Sequence, residues 1–281
     1  MDNRRSVELV VLSDIHLGTS GSHAVELLKY LKSIRPKTLV LNGDIIDIWQ
    51  FKKQFFPKSH LKVVKHLIGL ASESCKVYYI TGNHDEMFRK FSGMKIGKLR
   101  IMNELKLELN GKKVWFFHGD VFDVVMQNSK WLAKLGAIGY DGLILLNTFI
   151  NMITKFLELK PVSFSKKIKQ SVKGAVKFVN AFEVTAATVA LRKGIDCIVC
   201  GHIHQPEMRE IKVEKQSIQY LNSGDWIENL TSLEYNKGSW KIFNFRKDFI
   251  EQPAEAEAEF ERMVDLEVKD LFKNMLVDFS N

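Results

Sequence analysis

The sequence predicts a β-rich α/β fold in which helices cover mixed sheets and one helical insertion breaks the order. Three observations carry this expectation. Short β-branched and aromatic runs alternate with amphipathic stretches, as in a sheet covered by helices. Asn110-Gly111 sits between two short alternating runs, a hairpin signal that makes the sheets mixed rather than wholly parallel. From Ser129 to Lys193, about 65 residues, the period is helical with no clear strand signal.

The elements follow in order. Val7–Leu12 is an apolar, strand-like run, and His23–Ile34 repeats Ala24, Leu27, Leu28 and Leu31 at helical spacing. Thr38–Leu41 reads as a second strand, Lys62–Ala71 as a second helix and Val77–Ile80 as a third strand. Lys106–Leu109 and Lys113–Phe117 are the arms of the hairpin. After the helical stretch, Cys197–Cys200, Ser217–Leu221 and Trp240–Phe245 return to strand character. The last segment, 251–281, predicts an acidic terminal helix. The expected organisation is one domain over 1–250, with an insertion at about 124–193, followed by that tail.

The 281 residues are 46% apolar and 26% charged, ordinary for a globular chain. Cys75, Cys197 and Cys200 are too few and too irregular for a disulfide framework. The CxxC of Cys197 and Cys200 encloses Ile198-Val199 and reads as part of a buried strand rather than a redox or zinc site. Neither a signal peptide nor a stretch of about 18 apolar residues is evident, so the expectation is a soluble, intracellular protein. The net charge of +8 is unevenly placed: from Glu251 onward there are nine acids and three bases, whereas Lys160–Lys177 holds six lysines and no acid. That cluster is either a solvated helix face or an attractor for anionic substrate and lipid headgroups.

Five blocks close predicted strands: Ser13-Asp14-Ile15-His16, Gly43-Asp44-Ile45-Ile46-Asp47, Gly82-Asn83-His84-Asp85, His118-Gly119-Asp120 and Gly201-His202-Ile203-His204. Strand ends converge on one crevice in an open α/β sheet. Each block alone is an ordinary turn, but five in order share one chemistry. Hydrolysis of a phosphate bond near neutral pH needs a strong nucleophile and a clamp for developing negative charge. Two divalent cations about 3.5–4 Å apart supply both. Carboxylate, imidazole and amide donors without thiolate suit Mn²⁺, with Fe²⁺ and Zn²⁺ as alternatives. A carboxylate must bridge such a pair, and Asp44 is central in the series. His23, His60 and His66 lie in or beside helical stretches and read as structural.

The series DxH, GDxxD, GNHD, HGD and GHxH resembles the calcineurin-like metallophosphoesterase superfamily. The resemblance implies a four-layer α/β/β/α sandwich with two mixed sheets. It places Asp14, His16, Asp44 and His204 on one metal, and Asp44, Asn83, His118 and His202 on the other. It makes His84 the general acid or charge stabiliser beside the scissile phosphate, with Asp85 orienting it, and puts Asn83 and His84 in contact with substrate.

A closer resemblance covers about Val7–Phe245. Asp47-Ile48-Trp49, Gly119-Asp120-Val121-Phe122-Asp123, Ala181-Phe182-Glu183 and Asn222-Ser223-Gly224-Asp225-Trp226 look like the UDP-2,3-diacylglucosamine diphosphatase family of lipid A biosynthesis. There a helical insertion after the HGD block caps the active site and holds acyl chains, and the helical stretch here begins at the same place. The expected substrate is a nucleotide-linked lipid, with Lys166, Lys167 and Lys169 meeting its phosphates and the protein peripheral at the cytoplasmic face of the inner membrane. Packing of the insertion as core is the alternative for the lid. In the diphosphatases of that family the third motif tends to carry Arg where this chain has His84, the general superfamily form. The alternative activity is therefore a phosphodiesterase or phosphatase on another nucleotide or lipid phosphate. No nucleic-acid module is recognisable, and a non-catalytic scaffold would be expected to have lost ligands.

Overall fold

The computed structural model describes residues 4–48, 56–72, 75–123 and 167–249. The chain divides into two compact units, Met1–Lys247 and Asp248–Asn281. The acidic tail helix expected in the second lies outside the described residues, as does most of the expected insertion, 124–166.

Strands β1 (Arg5–Leu12), β2 (Ile34–Asn42) and β3 (Lys76–Ile80) are joined through helices α1 (Ala24–Ser33) and α2 (Lys58–Ser72). A 3₁₀ turn (Glu86–Phe91) leads to β4 (Lys95–Ile96) and β5 (Leu99–Met102). The hairpin β6 (Glu104–Leu109) and β7 (Lys112–Phe117) follows. After α3 (Lys167–Arg192) come β8 (Cys197–Cys200), β9 (Glu207–Val213), β10 (Gln216–Asn222), β11 (Thr231–Asn236) and β12 (Ser239–Asn244). They form a seven-stranded sheet in the order β12-β11-β1-β2-β3-β5-β4 and a five-stranded sheet in the order β6-β7-β8-β10-β9. Both sheets are mixed: β1, β2, β3 and β5 run parallel, as do β7, β8 and β10, with antiparallel strands at the edges.

Alternation along the strands explains the layering. Leu9, Val11, Val40 and Ile80 of the first sheet pack on Val114, Phe116, Cys197, Val199 and Leu221 of the second. The residues between them point outward. Trp115, Phe117, Ile198, Cys200 and Tyr220 meet Phe182, Ala186, Ala187 and Ala190 of α3, while α1 and α2 cover the first sheet. Strands buried on both faces read as continuous apolar runs, which is why the sequence showed them. The result is helix, sheet, sheet, helix: the four-layer α/β/β/α sandwich.

One boundary differs from expectation. The stretch Ala181–Arg192, assigned from sequence to the insertion, is core: Phe182, Ala186, Ala187 and Ala190 are fully buried against the second sheet. Helical period alone could not say which surface this segment covers. The strands β4, β5, β9 and β11 carry no clear sequence signal: β4 and β9 are sheet edges that face solvent, β5 is four residues long, and β11 is buried but rich in polar residues. Cys197 and Cys200 face opposite sides of the second sheet, as an i, i+3 pair on a strand must, and all three cysteines are buried outside any disulfide. No helix among the described residues is long and apolar enough to cross a membrane.

Candidate metal centre

The five blocks do close strands, and the strand ends of both sheets meet. The first sheet contributes Asp14 after β1, Asp44 after β2, and Asn83, His84 and Asp85 after β3; the second contributes His118 after β7 and His202 and His204 after β8. Asn42, the last residue of β2, joins the sheets below them. Its Nδ2 donates to the carbonyl of Phe117 at 3.0 Å in the opposite sheet, and its own carbonyl lies 3.0 Å from His118 Nδ1.

The local backbone is unusual. Asp14, His16, Asp44, His202 and His204 all have φ between 51° and 66°. Left-handed non-glycine residues are uncommon and cost energy, so five in one crevice mark turns held for function. The glycines allow close approach. A Cβ on Gly82 would overlap the Asp44 carboxylate, and one on Gly43 the His118 ring.

Three groups of side chains present ligand atoms close enough to hold a metal ion: Asp14, His16 and His204; His16, Asp44 and His84; and Asp14, Asp44 and His118. Asp44 stands between them, its Oδ2 3.3 Å from His118 Nε2 and 3.8 Å from His16 Nε2. Asp14 Oδ1 is 3.2 Å from His204 Nε2. Asn83 joins the set through its Oδ1, 3.3 Å from His118 Nε2. Burial would raise the pKa of Asp44, but His118, His16 and His84 together hold it far below the ordinary carboxylate range. Burial likewise opposes charge on His118, yet Asp44 and Asp14 pull its pKa well upward. His16 has a lowered pKa because burial outweighs its acidic neighbours. His16 Nε2 is buried without a hydrogen-bond partner.

His202 stands apart from these groups. Its Nε2 faces both carboxylate oxygens of Asp123 at 2.9 and 3.0 Å, and its ring packs 5.2 Å from that of His118. Only its Nδ1 remains for a ligand. Asp123 and Asp225, the latter 3.7 Å from His204 Nδ1, stand in sequence motifs that by themselves point to no role for them.

The Asp85 carboxylate turns to backbone N–H groups and Tyr79 rather than to the His84 ring. It accepts the Ile45 and Gly82 backbone N–H groups at 2.9 and 2.6 Å and the Tyr79 hydroxyl at 2.6 Å, fastening the third block to the second. Burial, and then the Asp44 charge, push the Asp85 pKa up to about 6. The partner of the His84 ring is Asp47, whose Oδ2 lies 3.1 Å from Nδ1. The His84 backbone N–H donates to Asp44 Oδ1 at 2.8 Å, which fixes the ring's origin, and its side chain is 37% exposed at the mouth of the site. Asp47 was visible as the last residue of GDxxD, but pairing across two loops has no sequence signature. Of the expected phosphate-binding lysines, Lys166 lies outside the described residues, and Lys167 and Lys169 fall in the first turn of α3.

The model of the calcineurin-like phosphoesterase family matches residues 7–206, which span all five blocks. The chain belongs to the calcineurin-like phosphoesterases. This phosphoesterase is therefore a hydrolase of a family that uses divalent metal ions, and the three side-chain groups above are its candidate metal-binding residues. Curated relatives extend over most of the phosphoesterase at low identity. UDP-2,3-diacylglucosamine hydrolase of Blochmanniella pennsylvanica (strain BPEN) is 23% identical over 245 residues, covering 82% of this chain and 93% of its own. Those of Stenotrophomonas maltophilia (strain K279a) and Aliivibrio fischeri (strain MJ11) are 22% and 23% identical over 240 and 247 residues. They cover 82% and 85% of this chain, and 96% and 98% of their own.

Proposed function

We propose that this phosphoesterase binds two divalent cations, Mn²⁺ first among them, and cleaves the phosphoanhydride of UDP-2,3-diacylglucosamine. Water adds across the bond to give UMP and 2,3-diacylglucosamine 1-phosphate. The observation that carries the two-cation reading is the position of Asp44, buried between ligand atoms from both sheets. The names of the relatives, which cover most of the chain, support the substrate.

The residues fit such cations. The donors are carboxylate, imidazole and amide, and His16 Nε2 is buried with no hydrogen-bond partner. His118 commits Nδ1 to the Asn42 carbonyl and so presents Nε2 to the site. Asp14, His16, Asp44 and His204 would hold one cation, and Asp44, Asn83, His118 and His202 the other, His202 through Nδ1. Bound there, the pair supplies Lewis acidity toward phosphate oxygens and an acidified water. The side chains do the rest. Asp47 holds His84 Nδ1–H, and the protonated ring offers Nε2–H to the leaving phosphate oxygen or to its developing charge. Asp85 keeps His84 in place indirectly, by pinning its loop. The apolar insertion before α3 takes the acyl chains, and Lys166, Lys167 and Lys169 meet the phosphates. The protein works at the cytoplasmic face of the inner membrane.

The test is turnover by purified protein with Mn²⁺ of UDP-2,3-diacylglucosamine, plain UDP-sugars and a generic phosphodiester. Strong preference for the acylated nucleotide is expected. His84, the general superfamily residue at a position where the lipid enzymes tend to carry Arg, favours a second reading, a phosphodiesterase or phosphatase on another phosphate. Equal turnover of all three substrates would establish it.

A further inference from the structure

We infer that the outer edge of the first sheet, from Met87 to Arg100, is a docking surface for an anionic lipid bilayer. This deepens the membrane location proposed above by naming the surface that makes the contact, and it holds whichever phosphate compound is cleaved. Four large apolar side chains stand in solvent within ten residues: Met87 is 48% exposed, Phe91 42%, Met94 42% and Ile96 57%. Every residue from Lys90 to Lys98 is exposed. An isolated exposed apolar residue is commonplace, but four together on one sheet edge form a patch that invites a partner.

The edge is shaped rather than frayed. Gly93 N–H donates to the Ile101 carbonyl at 2.8 Å, and Ile101 N–H to that of Met94 at 3.0 Å, folding the segment back onto β5. β4 is two residues long and ends the sheet. Its brevity limits pairing with another strand.

Charge decides the kind of partner. From Met87 to Asn103 the sequence has five Lys and Arg residues and no acid. Arg89 is tied to Asp120 at 2.6 Å, toward the site, but Lys90, Lys95 and Arg100 are exposed, with Lys95 directly across from Arg100 in the ladder. Like charges opposite one another are unfavourable and are relieved by an anion. A second copy docked through this edge by two-fold symmetry would bring the same bases face to face. A nucleic acid would meet one aromatic and three aliphatic side chains, with little to stack on. A bilayer with anionic headgroups meets both requirements, since bases lie among the phosphates and apolar side chains enter the acyl boundary. The 3₁₀ turn that carries Met87 and Phe91 starts two residues beyond His84, so a docked edge holds the third block beside the lipid.

Sedimentation with vesicles tests this, using phosphatidylcholine alone and phosphatidylcholine mixed with phosphatidylglycerol. The wild-type protein should sediment with the mixed vesicles, and less so as salt is raised. The Lys90→Gln, Lys95→Gln, Arg100→Gln triple variant should bind on the order of a hundredfold more weakly. The Phe91→Ser, Met94→Ser, Ile96→Ser triple variant should lose the binding that survives high salt. Both should keep wild-type turnover of a soluble phosphodiester, which separates failure of docking from failure of the enzyme. The inference is overturned if wild-type protein ignores anionic vesicles or if both variants sediment as wild type does. It is equally overturned if light scattering shows the apolar variant falling from dimer to monomer, for then the edge is a self-interface.

Discussion

Replacing Asp47 by Asn should lower turnover roughly 5- to 30-fold while leaving the metal content unchanged. Asn keeps the shape of the side chain and removes its charge. A carboxylate 3.1 Å from the ring is worth at most ~5 kcal/mol to the cationic form of that ring at an effective dielectric of about 20. The His84 side chain is 37% exposed, so water screens much of this, leaving about 1–2 kcal/mol, which is the rate factor stated. His84→Ala removes the group itself and should cost about 10²–10⁴-fold. The double variant should then be no slower than His84→Ala, since Asp47 acts through that ring. The assay is kcat for a soluble phosphodiester, with metal analysis of each protein. Asp47 Oδ2 also lies 3.7 Å from His16 Nδ1. Loss of a cation in Asp47→Asn, or a further drop in the double variant, would show that Asp47 serves His16 instead.

Asp44→Ala should abolish turnover and reduce bound cations by more than one site's share, measured by elemental analysis; full activity in that variant or in stripped protein refutes the shared carboxylate. Deleting about 129–166, short of the core part of α3, should abolish hydrolysis of acylated nucleotide while sparing a small diester. Retained lipid turnover, or unfolding seen by circular dichroism, counts against the acyl site. Burial holds His66 at about 4, so the unfolded chain takes up a proton near pH 6.5 that the fold refuses. Stability should therefore fall as pH drops from about 6.5 to 4, by at most about 3 kcal/mol, and His66→Gln should flatten that part of a denaturation series.

The sequence made the strand ends legible because each pairs a double-faced apolar run with a polar block, and both halves of that signal are local. Asp14, Asp44 and His118 could be picked out on those grounds. What it hid is relational. Asp47 and Asp85 are both acids in motif blocks, and only the three-dimensional approach of two loops decides which one meets the imidazole of His84. Asn42 looks like any strand-terminal amide until the second sheet is laid over it. Ala186 and Ala190 carry helical period whether the helix forms a lid or a layer, and it is the covering of Trp115 and Phe117 that makes it a layer. β11 carries no apolar run although it is buried, since its Ser232 and Glu234 face a polar cluster in which Glu234 accepts from Arg5 and Tyr30 and Ser232 donates to Tyr30.

Asn42 rivets the two sheets directly beneath residues that each sheet supplies in part. Any breathing motion that parted the sandwich at this end would pull His118 and His204 away from Asp14 and Asp44, and would strand a buried amide without partners. The centre therefore has no loosened intermediate in which to persist: melting of the core takes the centre with it, and in a denaturant titration the release of bound metal should trace unfolding.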